Sequence, residues 1–287
     1  MKFVTFTDGR KEQPGVIGAD NKCVHPLNGW NSLAGFIADF DTKGREPALA
    51  LSQKDGGIPL TDVKLEAPIP HPRNGILSVG LNYVAHAVEI AKATGREYKQ
   101  PERPTYFIKW VDRAVAPGGD IPAHGELTQK LDYEVELAVI IGKRCQHVKR
   151  EDVFSHIFGY TICNDISARD LQGNYGQWAF GKSLDGTAPL GPWIVTIDEF
   201  ASPPALRVTT KVNGKLRQDS STSDFIFDIP HLISELSQGI TLEPGDVLIT
   251  GTPSGVGMGL APQKFLQPGD LVELEIEGIG VLKNHIK

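Results

Sequence analysis

Three carboxylates carry the strongest chemical signal in the chain. In LDYEVELAVII, residues 131–141, side chains alternate as on a strand, and Asp132, Glu134 and Glu136 share one face before Ala138 and Ile140 turn that face apolar. The opposite face, Leu131, Tyr133, Val135, Leu137, Val139 and Ile141, is suited to packing on a core. Asp165 closes a second strand-like run, FGYTICND, where a side chain held by a sheet can still reach a pocket. Gathered without a partner, these charges would cost on the order of several kcal/mol each in lost hydration and repulsion. A divalent cation held by Glu134, Glu136 and Asp165 removes that cost. An all-oxygen donor set with no paired His or Cys selects a hard ion, Mg²⁺ first, with Mn²⁺ or Ca²⁺ as alternatives. From the Glu-x-Glu spacing alone, a solvated acidic sheet rim competes with this reading.

Other residue types suited to catalysis lie elsewhere. His86 and Glu89 are three apart in a helical pattern, close enough for the carboxylate to orient the imidazole as a general base on water; an ordinary surface pair has the same spacing. Lys182, in the Gly-flanked FGKSLDGTAP, is placed to stabilise a developing enolate or carboxylate charge, and Arg169 in ISARDLQ to clamp a substrate carboxylate; for either, the alternative is a surface ion pair, with Asp170 adjacent to Arg169. The loop GTPSGVGMG, residues 251–259, lacks the Lys-Ser/Thr ending of a phosphate loop, but Thr252 and neighbouring amides can contact a small anion. The other seven histidines have no partner at telling spacing and read as structural.

The elements that must position these residues are mostly strands. KFVTF and PGVIGA alternate, NSLAGFIADF is amphipathic, and EAPIPHPRNG has linker composition, so a small N-terminal α+β domain is expected over 1–70 and a catalytic domain over 71–287. ILSVGL reads as a strand. Asn82 is expected to cap a helix whose apolar side is Val84, Ala87, Val88 and Ala91 and which stops at Gly95. EDVFSHI is helical; WIVTI, LRVTTKV and KLRQD are strands, the last two joined at Asn213-Gly214. Asp228 begins a short helix with Pro230 in its first turn, running through Leu236, and two Pro-Gly-Asp turns feed the final strands.

Composition sets limits on function. A chain of 287 residues, 40% hydrophobic, can bury a sizeable core, and its 31 glycines and 20 prolines fit many turns between strands. The net charge of -6 and the absence of any basic block give no footprint for nucleic acid or an anionic membrane surface. No apolar run has the length of a signal peptide or a membrane span, so a cytoplasmic location is expected. Cys23, Cys145 and Cys163 form no CxxC pair and read as reduced core thiols.

Taken in order, SVGLNYVAHAVE, PTYFIK, LDYEVELAVIIGK, GYTICNDISARDLQ, FGKSLDGTAPLGPWI and EPGDVLITGTPSGVG resemble the fumarylacetoacetate hydrolase family, in particular its acylpyruvase and 2-hydroxyhepta-2,4-diene-1,7-dioate isomerase branch. The resemblance runs from about residue 75 to the C-terminus; residues 1–70 resemble only the family's variable N-terminal domain. It implies an α+β, β-rich mixed β-sandwich roll that assembles as a homodimer. It also implies Mg²⁺ or Mn²⁺ on Glu134, Glu136 and Asp165, a water-activating His86–Glu89 dyad on a lid, Lys182 facing the reacting group, and Thr252 touching substrate. Two segments depart from the family pattern: Trp110 to Arg113, expected to reshape the pocket, and the polar lid extension 93–104.

The expected function is metal-assisted cleavage of a C-C bond in a short 2,4-dioxo acid of the acylpyruvate type, passing through a pyruvate enolate whose charge the cation and Lys182 share. Oxaloacetate decarboxylation and isomerisation of a 2-hydroxy-diene dioate are the alternatives, since both use the same electron sink. A non-catalytic, cation-dependent binding module would give His86 and Lys182 no task.

Overall fold

The alternating run at 135–141 forms the middle of an eleven-stranded mixed sheet in this computed structural model, which describes residues 1–287. Strand Val135–Ile141 pairs antiparallel with Ile157–Asn164 on one side and with Val247–Ile249 on the other. Beyond Val247–Ile249 the sheet continues through Ile76–Gly80, in parallel, to Thr105–Lys109. A second, five-stranded sheet, built chiefly from Arg207–Val212, Lys215–Ser221, Leu271–Ile276 and Gly280–Ile286, packs against one face. Leu137, Val139 and Ile141 point into the core between the sheets, where they join Val208, Leu274 and Leu282. Ala138 and Ile140, on the other face, join a second core with Phe3, Phe36 and Phe158. Both faces of the strand are therefore covered, which explains why its alternation is apolar on both sides past Glu136.

The N-terminal segment is part of this body. Lys2–Thr7 pairs with Leu190–Thr196, so the sheet runs without a break into the first strands, and the helices Leu33–Ala38 and Arg45–Ser52 cover the same core as Ile76 and Ile249. A boundary at residue 70 therefore divides neither the sheet nor the core, because Phe3, Val16 and Phe36 find their apolar partners in the later segments.

Several local expectations hold. Asp228 caps Ile229–Leu236 through the His231 amide at 2.7 Å, with Pro230 in the first turn. Asn213 and Gly214, at φ 50° and 74°, turn the 207–221 hairpin. Others need correction. The helix is Val84–Ala93, and Asn82 does not cap it; the Asn82 side chain instead bonds Thr250 O, Phe227 O and Phe227 N, tying three segments together. Its buried side is His86 and Ala87, while Val84 and Val88 are exposed, because the helix turns that side to a cavity of mixed polar and apolar lining rather than to a core. The helix does end at Gly95: Arg96 N bonds Ala91 O and Gly95 N bonds Lys92 O, with Gly95 at φ 67°. The acidic strand is also interrupted. Leu131–Asp132 forms its own short pair with Ser167–Ala168 before the main strand resumes at Val135. No helix is long and apolar enough to cross a membrane.

Candidate metal centre and catalytic pocket

Glu134 and Asp165 meet because the ends of two paired strands meet. Asn164 Oδ1 accepts the Glu134 amide at 3.0 Å, and the Asp165 amide donates to Glu134 O at 2.9 Å. Glu136, two residues along, points the same way, and Gly251 N donates to its Oε2 at 2.6 Å. One carboxylate oxygen from each of Glu134, Glu136 and Asp165 lies within 4.8 Å of the others, and all three residues are buried. The third member of the cluster is thus Asp165, with Asp132 excluded by the break in the strand.

Three buried cations answer these charges. Lys182, at the end of the short helix Ala179–Lys182, places Nζ 2.6 Å from both Glu134 Oε2 and Asp165 Oδ2. Lys109 Nζ lies 2.9 Å from Asp165 Oδ1 and also bonds Ile166 O and Lys182 O. Arg169 sets Nε 2.9 Å from Asp132 Oδ2 and a terminal nitrogen 2.7 Å from Glu134 Oε1. It is engaged by protein carboxylates on the cavity wall, not by Asp170, which accepts from Thr128 and Gln129. Burial pushes the Glu134 carboxyl up, but Lys182 and Arg169 more than reverse this and hold it well below the usual carboxylate range. For Glu136, burial and then repulsion from Asp165 and Glu134 act together and push it well above that range. The three cations are matched to Asp132, Glu134 and Asp165, and Glu136, whose carboxyl is pushed up, has none. The oxygen-only donor set and that unmatched carboxyl fit a hard divalent cation on Glu134, Glu136 and Asp165.

The triad opens into a cavity of about 460 Å³, a size suited to a small metabolite. His86 lies on its wall with Nδ1 3.2 Å from Glu89 Oε2. With Glu89 ionised, Nδ1 carries the proton and donates, which leaves Nε2 with a free lone pair. Glu89 Oε1 is held in turn by Gly255 N at 2.9 Å. Thr252 lines the same cavity, donates to Val135 O at 2.9 Å and accepts from Gln218 at 2.7 Å. The lid extension contributes Thr94, Arg96, Glu97, Tyr98, Lys99 and Pro101 to the outer wall. The departure at Trp110–Arg113 is not part of it: those residues line a separate hollow of about 170 Å³, Trp110 is exposed, and Arg113 pairs with Glu12 and Glu66.

Sequence reasoning passes over Lys109 and Gln218. Lys109 ends the strand Thr105–Lys109, a position where lysine usually signals a solvated end, and only the closing of the 166–182 segment over it reveals its role. Gln218 is buried and makes four hydrogen bonds, to Val135 N, Thr210, Thr252 and Pro253 O. No periodicity marks it, because a bulge at Thr210/Lys211 leaves Leu216 exposed and Gln218 inside although they are two apart.

A sheet-rich sandwich carrying a buried acidic triad beside a His-Glu pair defines a class, and the chain belongs to it: the sequence model of the fumarylacetoacetate (FAA) hydrolase C-terminal family matches residues 75–287. Among individual proteins, the chain is 50% identical over 227 residues to the oxaloacetate tautomerase YisK of Bacillus subtilis, covering 79% of this chain and 74% of that one. A solved fumarylacetoacetate hydrolase from Exiguobacterium antarcticum superposes with a TM-score of 0.81 at 37% identity, covering 100% of this chain and 99% of the other. A 5-carboxymethyl-2-hydroxymuconate delta-isomerase from Mycobacterium smegmatis superposes at 0.76 with 32% identity, covering 100% and 98%.

Proposed function

We propose that the chain is a metal-dependent enzyme that moves a proton at the carbon next to the oxo group of a short 2-oxo dicarboxylate, interconverting the keto and enol forms of oxaloacetate or a close analogue. The observation that carries this reading is His86, whose Nδ1 lies 3.2 Å from Glu89 Oε2 and which shares one cavity with the carboxylate triad. Two further points favour proton transfer on a dicarboxylate over the C-C hydrolysis expected from the sequence. The relative at 50% identity is named an oxaloacetate tautomerase. Of the cations lining the cavity, Arg169 and Lys182 are taken up by protein carboxylates, whereas Arg96 and Lys99 make no ion pair and are free to meet a second substrate carboxylate.

A divalent cation on Glu134, Glu136 and Asp165, with Mg²⁺ as the first choice, would supply Lewis acidity toward the substrate's oxo oxygen. His86 Nε2 takes a proton from C3, the C-H electron pair becomes the C2-C3 double bond, and the oxo oxygen gains the charge and then a proton from solvent water, to which the imidazolium gives up its own. Glu89 holds the imidazole in its tautomer and stabilises the imidazolium. Lys182 brings an ammonium to the side where negative charge develops. In the reverse direction His86 returns the proton to C3. Hydrolysis of an acylpyruvate is the second reading, supported by the same Nε2 acting on water. The working unit is taken as a cytoplasmic homodimer without nucleic-acid or membrane partners; light scattering tests the dimer.

The reaction is tested by following enol-oxaloacetate in the ultraviolet with Mg²⁺ and with chelator, alongside product analysis on acetylpyruvate. Fast loss of the enol without pyruvate or CO₂, abolished by chelator, supports tautomerisation. Pyruvate plus acetate from acetylpyruvate with no effect on the enol would favour the hydrolase instead, and CO₂ from oxaloacetate a decarboxylase.

A further inference from the structure

Asp132 stands beside the triad in sequence but belongs to another device. Its buried carboxylate accepts four hydrogen bonds: on Oδ1 from Tyr133 N and Gly257 N at 3.0 and 2.7 Å, on Oδ2 from Met258 N and Arg169 Nε at 3.0 and 2.9 Å. The next residue adds a further tie, since Tyr133 Oη donates to Gly255 O at 2.9 Å. Between them the two side chains clamp residues 255–258 to the start of the strand that carries Glu134 and Glu136.

The clamped loop is the seat of Glu89. Gly255 N donates to Glu89 Oε1, and a Cβ on Gly259 would come within 2.1 Å of the same carboxyl group. The loop has little room to shift: Gly255 sits at φ 104°, and a Cβ there would stand 2.0 Å from Arg217 O. One connected path therefore runs from Tyr133 through Gly255 and Glu89 to His86.

We propose that Tyr133, together with Asp132, is a positioning residue for the base: by fixing the 255–258 loop to the strand of the triad, it sets where His86 Nε2 stands relative to the reacting carbon. The proposal rests on the reading of His86 and Glu89 as the base pair and goes beyond the reaction assigned to them. Its physical basis is that proton transfer is steeply sensitive to placement, a displacement of about 1 Å being able to cost about a hundredfold in rate.

The test is Tyr133→Phe, which removes one oxygen and keeps the ring. For oxaloacetate enolisation, kcat is expected to fall about tenfold with KM and Mg²⁺ affinity unchanged, since only placement of the base is disturbed. In a His86→Ala background the same substitution should change nothing further. Independently of turnover, ¹⁵N-histidine NMR should show a downfield Nδ1-H resonance, assigned by its loss in His86→Ala, that shifts or broadens in Tyr133→Phe. Asp132→Asn should give the same signature; if it does not fold, Tyr133→Phe decides. An unmoved resonance in Tyr133→Phe, or losses that multiply in the double variant, would overturn the proposal. A shifted resonance in a protein that does not enolise oxaloacetate would leave the positioning role standing and remove the assigned reaction.

Discussion

Replacing Lys182 by Met separates what the protein's own cation does from what a metal ion does. Lys182 is 3% exposed, and its ammonium lies 2.6 Å from both Glu134 and Asp165. Removing one partner from a buried ion pair typically costs about 3–5 kcal/mol, because the remaining charges keep their desolvation penalty and lose their compensation. At about 2 °C per kcal/mol for a chain of this size, the metal-free variant should melt about 6–10 °C below the parent. Mg²⁺ changes the comparison. Bound at the triad, it would compete with Lys182 for oxygens in the parent, whereas in the variant it would have no ammonium to displace. At a hundred times its dissociation constant a ligand adds about 2.7 kcal/mol, so Mg²⁺ should return much of the loss and stabilise Lys182→Met more than the parent. Thermal and urea melts in chelator and in Mg²⁺ measure this directly. If Mg²⁺ shifts both proteins equally, or shifts neither, the triad is not the place where the ion binds and the reasoning fails.

Three further outcomes are expected. His86→Ala should lower enolisation by about 10²–10⁴ while Mg²⁺ affinity measured by calorimetry stays at the parental value, since the imidazole is no ligand of the triad. Arg96→Ala with Lys99→Ala should lower kcat/KM for oxaloacetate by about tenfold or more and leave its 4-methyl ester nearly untouched; equal losses on both would remove these residues from carboxylate recognition. A thiol reagent should find no reactive cysteine in the native protein and three after unfolding, because Cys23, Cys145 and Cys163 are buried and unpaired and burial pushes the Cys145 thiol up to about 11.

The sequence reveals those parts of the site that follow from local geometry. Glu134 and Glu136 share a direction because strand side chains repeat every two residues, and Asp165 is found by its place at a strand end. Gly95 and Asp228 mark helix ends through backbone chemistry that needs no tertiary partner. Where tertiary partners compete, local rules lose. Asn82 is a good cap by type, yet three backbone groups at 227 and 250 claim its amide. Val84 and Val88 look like the buried stripe, but the helix turns His86 inward to the cavity. Arg169 and Asp132 each carry a charge whose partner is more than thirty residues away, so spacing alone points to the neighbouring Asp170 and to the triad instead. The continuity of the N-terminal strands with the main sheet is hidden for the same reason, since it depends on pairing between Phe3 and Ile194.

The central claim is that Glu134, Glu136 and Asp165 hold one divalent cation. Diffraction from crystals soaked in Mn²⁺, recorded for its anomalous signal, tests it most directly. The expected result is a single strong peak at about 2.1–2.2 Å from one oxygen of each carboxylate, with the Lys182 ammonium moved from its place between Glu134 and Asp165. No peak, with that ammonium still 2.6 Å from both, would contradict it.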